Sequence, residues 1–289
     1  MSAVFRKEFR SGLTSMTGAI FMAFVLILNG LFVAYYNFIS ASPHFEYAVI
    51  AASFLSLLAV PVLTMRSFAE ERHSKTDQLL YSLPLTATQI VLGKFFAMIA
   101  IFAIPTAVVC VYPIIAAAYG GGEVNLATAY GVLLAYYLLG CAVIALCMFL
   151  STLTESQVIA AVLSLGVILV VYFLKSFSSM VPTSEIASLA VVLVLALACG
   201  FIIYAATKSY IAGGVSGLVL VIAAVVVYVV KSSLYEGLIG KILSAVSIFS
   251  AIESFANGVF DITCIIYYLS LAALFIVFTV QSFEKRRWC

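Results

Sequence analysis

FFAMIAIFAIPTAVVCVYPIIAAAY, residues 95–119, is a run of 25 residues without one charged side chain. Wound as an α-helix at 1.5 Å per residue it is about 37 Å long, enough to cross the roughly 30 Å of hydrocarbon in a bilayer. Seven further stretches pass the same test: 17–39, 47–65, 126–150, 157–174, 186–207, 211–230 and 262–281. Their interiors hold no Asp, Glu, Lys, Arg or His. The fold expected is an all-α integral membrane protein with about eight transmembrane helices, formed as one transmembrane domain over residues 1–289. Composition agrees: 65% of residues are hydrophobic and 9% charged, with a mean hydropathy of +1.23. Soluble domains are about 45–50% apolar and about 25% charged.

The first apolar stretch, 17–39, is too long for a secretory signal core of about 7–15 residues, so it is expected to stay as a spanning helix. Orientation follows from the basic residues, which concentrate on cytoplasmic flanks. With the N-terminus inside, eleven of the fourteen Lys and Arg fall on inner segments, and only Lys175, Lys231 and Lys241 fall outside. Both termini are then cytoplasmic, including the tail at 282–289. A multi-pass protein of a bacterial-type cytoplasmic membrane results.

Between the spans, three segments carry information. Residues 1–16 pair Phe5 and Phe9 with Arg6, Lys7 and Arg10, the pattern of a helix lying along headgroups. Residues 232–261 are apolar but interrupted by Lys241 and Glu253, too close together to bracket a span; they read as short helices in the outer interface. Residues 66–94 form the one cytoplasmic loop large enough to dock a partner. Its charged start, Arg66 to Gln78, grades into Leu79, Leu80 and Leu83, an amphipathic helix ended by Pro84.

Several function classes are set aside by what is absent. No glycine-rich loop followed by Lys and Ser/Thr exists to cradle a nucleotide phosphate; Gly120-Gly121-Gly122 has no lysine after it. The two histidines, His44 and His73, fall on opposite sides of the membrane and cannot build one metal or catalytic site. Glu70-Glu71 resembles the paired glutamates of a family of membrane metalloproteases, without the histidines those require. The six cysteines show no CxxC spacing and read as small apolar residues. Basic residues sit at hydrophobic boundaries rather than in one patch, which excludes nucleic acid as a partner. Ion-coupled carriers place ionisable groups inside their spans, and none is found here. An ATPase-independent channel or scaffold stays open as an alternative. Asn29, Tyr136 and Tyr137 are candidates for a translocation path because they are the polar groups deepest in the spans; a helix–helix hydrogen bond is the commoner use of such an asparagine.

Pro61-Val62-Leu63-Thr64-Met65-Arg66-Ser67-Phe68-Ala69-Glu70-Glu71-Arg72, then Leu79-Leu80-Tyr81-Ser82-Leu83-Pro84, then Leu92-Gly93-Lys94-Phe95, together resemble the ABC-2 type permeases, within them the gliding-motility-associated permease subfamily. Glu253-Ser254-Phe255-Ala256-Asn257-Gly258 and the closing Glu284-Lys285-Arg286-Arg287 are similar to that subfamily's last-helix region. The resemblance implies two membrane subunits, identical or related, working with two ABC ATPase subunits that hold ATP and Mg²⁺, while this chain binds no cofactor. It also implies that the 66–94 loop supplies a coupling helix, with Glu70, Glu71, Arg72, Thr76, Leu79, Leu80 and Leu83 at the inner gate or the ATPase contact. The sequence departs from the pattern twice. Lys75-Thr76 stands where a glycine usually precedes the threonine, and the pair of spans at 186–230 adds to a six-helix core. The cargo implied is apolar or amphipathic: lipid-linked, peptide or glycolipid-like.

Overall fold

A computed structural model describes residues 1–75, 86–119, 124–180, 240 and 247–287. It divides into two compact units, residues 1–172 with 248–289, and residues 173–247. Among the described residues all regular structure is helical, and six helical stretches are long and apolar enough to span: Met16–Ile39, Phe45–His73, Ala87–Tyr119, Leu126–Leu153, Gln157–Leu174 and Ile262–Lys285. These coincide with six of the eight expected spans. The expected pair at 186–207 and 211–230 lies outside the described residues.

Helix α1 (Ser2–Thr14) is too short to cross and ends where Ser15 turns extended. Ser15 then caps α2 (Met16–Val33), accepting a hydrogen bond from the Gly18 amide. The elbow is tight: a side chain on Gly18 would meet the Gly12 carbonyl. Helix α2 runs on through a π-helical turn, Ala34–Ile39.

The second and third spans are each broken in two, which hydropathy alone does not reveal. Helix α3 (Phe45–Leu57) stops at Leu58, and α4 (Val60–His73) restarts with Pro61 in its first turn. Helix α5 (Ala87–Val109) stops at Cys110, and α6 (Tyr112–Tyr119) restarts with Pro113. The same feature follows both breaks: a proline, with no amide hydrogen to give the preceding turn, is favoured in the first turn of a helix, although α5 also carries Pro105 within its length. Helix α5 begins on a capping box between Thr86 and Gln89.

Helix α7 (Leu126–Leu153), capped by the Asn125 side chain, is the axis of the first unit. It packs against α3, α4, α5, a short helix α9 (Ile252–Ala256) and α10 (Ile262–Arg287). Its long buried face explains why its sequence is apolar all round. Gly140 lets the Phe102 ring lie on it, where any Cβ would collide; small residues at such crossings let membrane helices approach. Helix α8 (Gln157–Met180) follows. Of the segment expected to form short outer helices, residues 247–261 are described apart from the isolated Gly240, and α9 buries Ile252 and Phe255 there. Tyr268 on α10 holds this turn by donating to the Ile248 carbonyl at 2.9 Å.

Candidate functional site

The polar chemistry of the first unit gathers where α4 leaves the apolar layer. Helix α4 is apolar through Met65 and then carries Arg66, Glu70, Glu71 and Arg72 within two turns. Side chains three and four apart share a face, so Arg66 meets Glu70, at 3.7 Å across an exposed surface. Glu71 and Arg72 point elsewhere, toward other helices.

Glu71 accepts a hydrogen bond from Lys94 of α5 at 2.8 Å, and Glu8 of α1 accepts a second at 3.2 Å. The third N–H of the ammonium goes to the Ser67 carbonyl at 2.8 Å. The nitrogen also lies 5.2 Å from the centre of the Phe68 ring. Lys94 is only 1% exposed, and the two carboxylates 14%. A buried ammonium is tolerable only when all its donors are used and its charge is balanced, and both conditions hold. One residue thereby ties α1, α4 and α5 together. Sequence reading placed Lys94 only as a boundary flank and gave Glu8 no role; the one available signal was a lysine set directly before Phe95-Phe96.

Arg72 turns the other way. Its guanidinium donates to the Thr152 carbonyl and, at 3.4 Å, to that of Thr154, the last carbonyls of α7. A cation at a helix C-terminus satisfies orphan carbonyls and complements the helix dipole. Beside it the Ser151 hydroxyl reaches the Ala69 amide at 3.3 Å and the Met65 carbonyl at 3.4 Å, so α7 engages the backbone of α4 directly. Thr152 in turn contacts Ser282 of α10 at 3.1 Å. The end of α4 is thus tied directly to α1, α5 and α7, and through Thr152 to α10.

Helix α4 closes at Lys75, whose φ of +55° is the left-handed conformation that usually ends a helix on glycine. The resemblance implies a glycine at this position, the residue that adopts such a backbone without strain. Of the expected coupling residues, Glu70, Glu71 and Arg72 are described; Thr76, Leu79, Leu80 and Leu83 lie outside the described residues.

A second polar group lies deeper. The Tyr136 hydroxyl of α7 is 2.8 Å from the Ser56 hydroxyl of α3, both fully buried. Ser56 donates to the Ser53 carbonyl at 3.1 Å, which leaves Tyr136 as donor to Ser56. Asn29 of α2 is 1% exposed and donates to the Val25 carbonyl of its own helix at 2.8 Å. Its amide oxygen has no hydrogen-bond partner among the described residues. Tyr137 stacks on Phe102, centroids 5.9 Å apart and planes within 1°. The three path candidates therefore sit within the packing of α2, α3, α5 and α7. Among the described residues no group of three or more His, Cys, Asp or Glu could hold a metal ion.

Residues 32–191, more than half of the 289, match the profile of a family described as ABC-2 family transporter protein. No curated protein matches the chain.

Proposed function

The chain belongs to the ABC-2 transporter family, and from that premise we propose that it is the permease subunit of an exporter whose ATP is hydrolysed on a separate subunit. Membership makes it a multi-pass membrane transport component rather than an ATPase. The finer reading follows the gliding-motility subfamily resemblance: two membrane subunits, two ATPase subunits holding ATP and Mg²⁺, and an apolar or amphipathic cargo.

The observation that carries the mechanism is how α4 is held. Its last turns connect on one side through Glu71 and Lys94 to α1 and α5, and on the other through Arg72 and Ser151 to α7. Immediately beyond it comes the loop whose Leu79, Leu80 and Leu83 would seat in the ATPase. A packed helix end responds to a displacement by moving its partners or exchanging them, because close-packed interfaces switch between discrete arrangements. A partner that binds one arrangement better shifts the equilibrium by its differential affinity. In this reading Glu70, Glu71 and Arg72, on the last turns of α4, carry the motion inward from the loop. The remaining spans at 186–230 extend the six-helix core to eight, with both termini cytoplasmic.

The test is affinity purification of the tagged full chain from its own membranes in mild detergent. A stoichiometric nucleotide-binding subunit with vanadate-sensitive hydrolysis is expected; a preparation without one moves the reading to a channel or scaffold. Orientation is checked in a cysteine-free background. Glu236→Cys should react with a membrane-impermeant thiol reagent added outside, and Lys75→Cys should not. Outside labelling at position 75 reverses the topology.

A further inference from the structure

We propose that the cavity between α1, α4 and α5 holds the headgroup of a membrane phosphatidylethanolamine. The cavity has a volume of about 280 Å³, at the small end of ligand pockets and suited to a headgroup rather than a whole amphiphile. Its wall contains three cations and three carboxylates, Lys7, Arg66 and Lys94 against Glu8, Glu70 and Glu71. Such a balance disfavours a bare anion or a bare cation and favours a ligand carrying both charges.

Not all of these groups are free to bind. Lys94 has spent its three donors on Glu8, Glu71 and the Ser67 carbonyl. Lys7 and Arg66 have not: their carboxylate neighbours lie at 3.7–3.9 Å, beyond good hydrogen-bond distance. A second observation points the same way. Ser67, 2% exposed and part of the cavity wall, has a hydroxyl without a hydrogen-bond partner among the described residues. Native proteins rarely leave such a group unpaired, and a bound acceptor would complete it. A phosphodiester oxygen accepts from Ser67, Lys7 and Arg66 together, and a primary ammonium donates to Glu70.

Position selects a lipid over a soluble zwitterion. Helix α1 is too short to cross and lies beside the start of the α5 span, which places the cavity at headgroup depth, and Leu63 and Met98 add apolar wall on the side of the spans. Chemistry selects ethanolamine over choline, since a trimethylated ammonium has no hydrogen to donate to Glu70. The inference is independent of any ATPase and concerns the chain by itself.

The test uses the full chain, purified and delipidated in detergent, then offered phosphatidylethanolamine, phosphatidylglycerol or phosphatidylcholine with identical acyl chains. Native mass spectrometry should retain one phosphatidylethanolamine per chain, with at least tenfold preference over the other two, and the melting midpoint should rise only with it. Ser67→Ala and Arg66→Ala should each weaken retention several-fold. Glu70→Gln should erase the preference over phosphatidylcholine, and Arg10→Ala, outside the cavity, should change nothing. If either of these two variants fails to fold, Lys7→Gln, at a side chain 68% exposed, reads the same contact. Equal retention of the three lipids, or variants without effect, overturns the site; binding of glycerophosphoethanolamine as tight as the lipid overturns its assignment to a membrane source.

Discussion

Replacing Lys94 with alanine is expected to lower the thermal midpoint of the purified protein by about 5 °C. The substitution leaves Glu8 and Glu71 in a largely buried site without the ammonium that both contact within 3.2 Å. Breaking a buried ion pair by removing one partner costs about 3–5 kcal/mol, most of it the desolvation of the charge left behind. The lower end applies, since Lys7 stays within 3.9 Å of both carboxylates. For a chain of 289 residues, at about 2 cal/mol/K of unfolding entropy per residue, about 3 kcal/mol corresponds to a shift of roughly 5 °C. A rescue separates charge from volume. Lys94→Met combined with Glu8→Gln and Glu71→Gln removes the charges and keeps the shape, and it should recover most of the loss. Lys94→Arg should recover less, because a planar fork does not reproduce three divergent donors. Melting curves in one detergent decide it: a Lys94→Ala midpoint within about 2 °C of the parent would mean the cluster adds no stability.

The reason this cluster was not legible in the sequence is distance along the chain. Lys94 is 86 residues from Glu8 and 23 from Glu71, and Arg72 is 80 from Thr152. No periodicity reports such partners. Hydropathy sees Lys94 only as the charge that ends a span, although α5 begins seven residues earlier at Ala87. The spans themselves were legible because the bilayer forces them: each must be long, uncharged and hydrogen-bonded within itself. Their internal breaks were not, since Leu58-Ala59 and Cys110-Val111 are as apolar as their surroundings. Pro61 and Pro113 held that information, but a proline in a membrane helix is as often a kink as a stop. Tyr136 and Asn29 are buried polar groups. What they touch depended on α3 supplying Ser56, which nothing near them in sequence foretells.

Substituting Leu79, Leu80 and Leu83 together with aspartate is expected to abolish association with the ATPase while leaving membrane insertion intact. These residues lie outside all six spans among the described residues and outside the two expected at 186–230, so the added charges need not enter the bilayer. Helix α4 ends before them, with its links to α1, α5 and α7 already made. Stability of the isolated chain should therefore change little. The interface is a different matter, because a few apolar anchors carry most of the affinity in a small contact. Three carboxylates set into such a groove without partners cost several kcal/mol, and every 1.4 kcal/mol is tenfold, so binding should fall by at least about 10²-fold. The neutral triple substitution to alanine should give an intermediate loss, which separates missing contact from added charge. Copurified ATPase per permease, measured beside the melting midpoint of the permease alone, gives both axes at once. Lys94→Ala should move the midpoint first, and the aspartate triple only the ATPase. Unchanged association in the triple variant would remove the coupling role from this loop, and the links at the end of α4 would then serve stability alone.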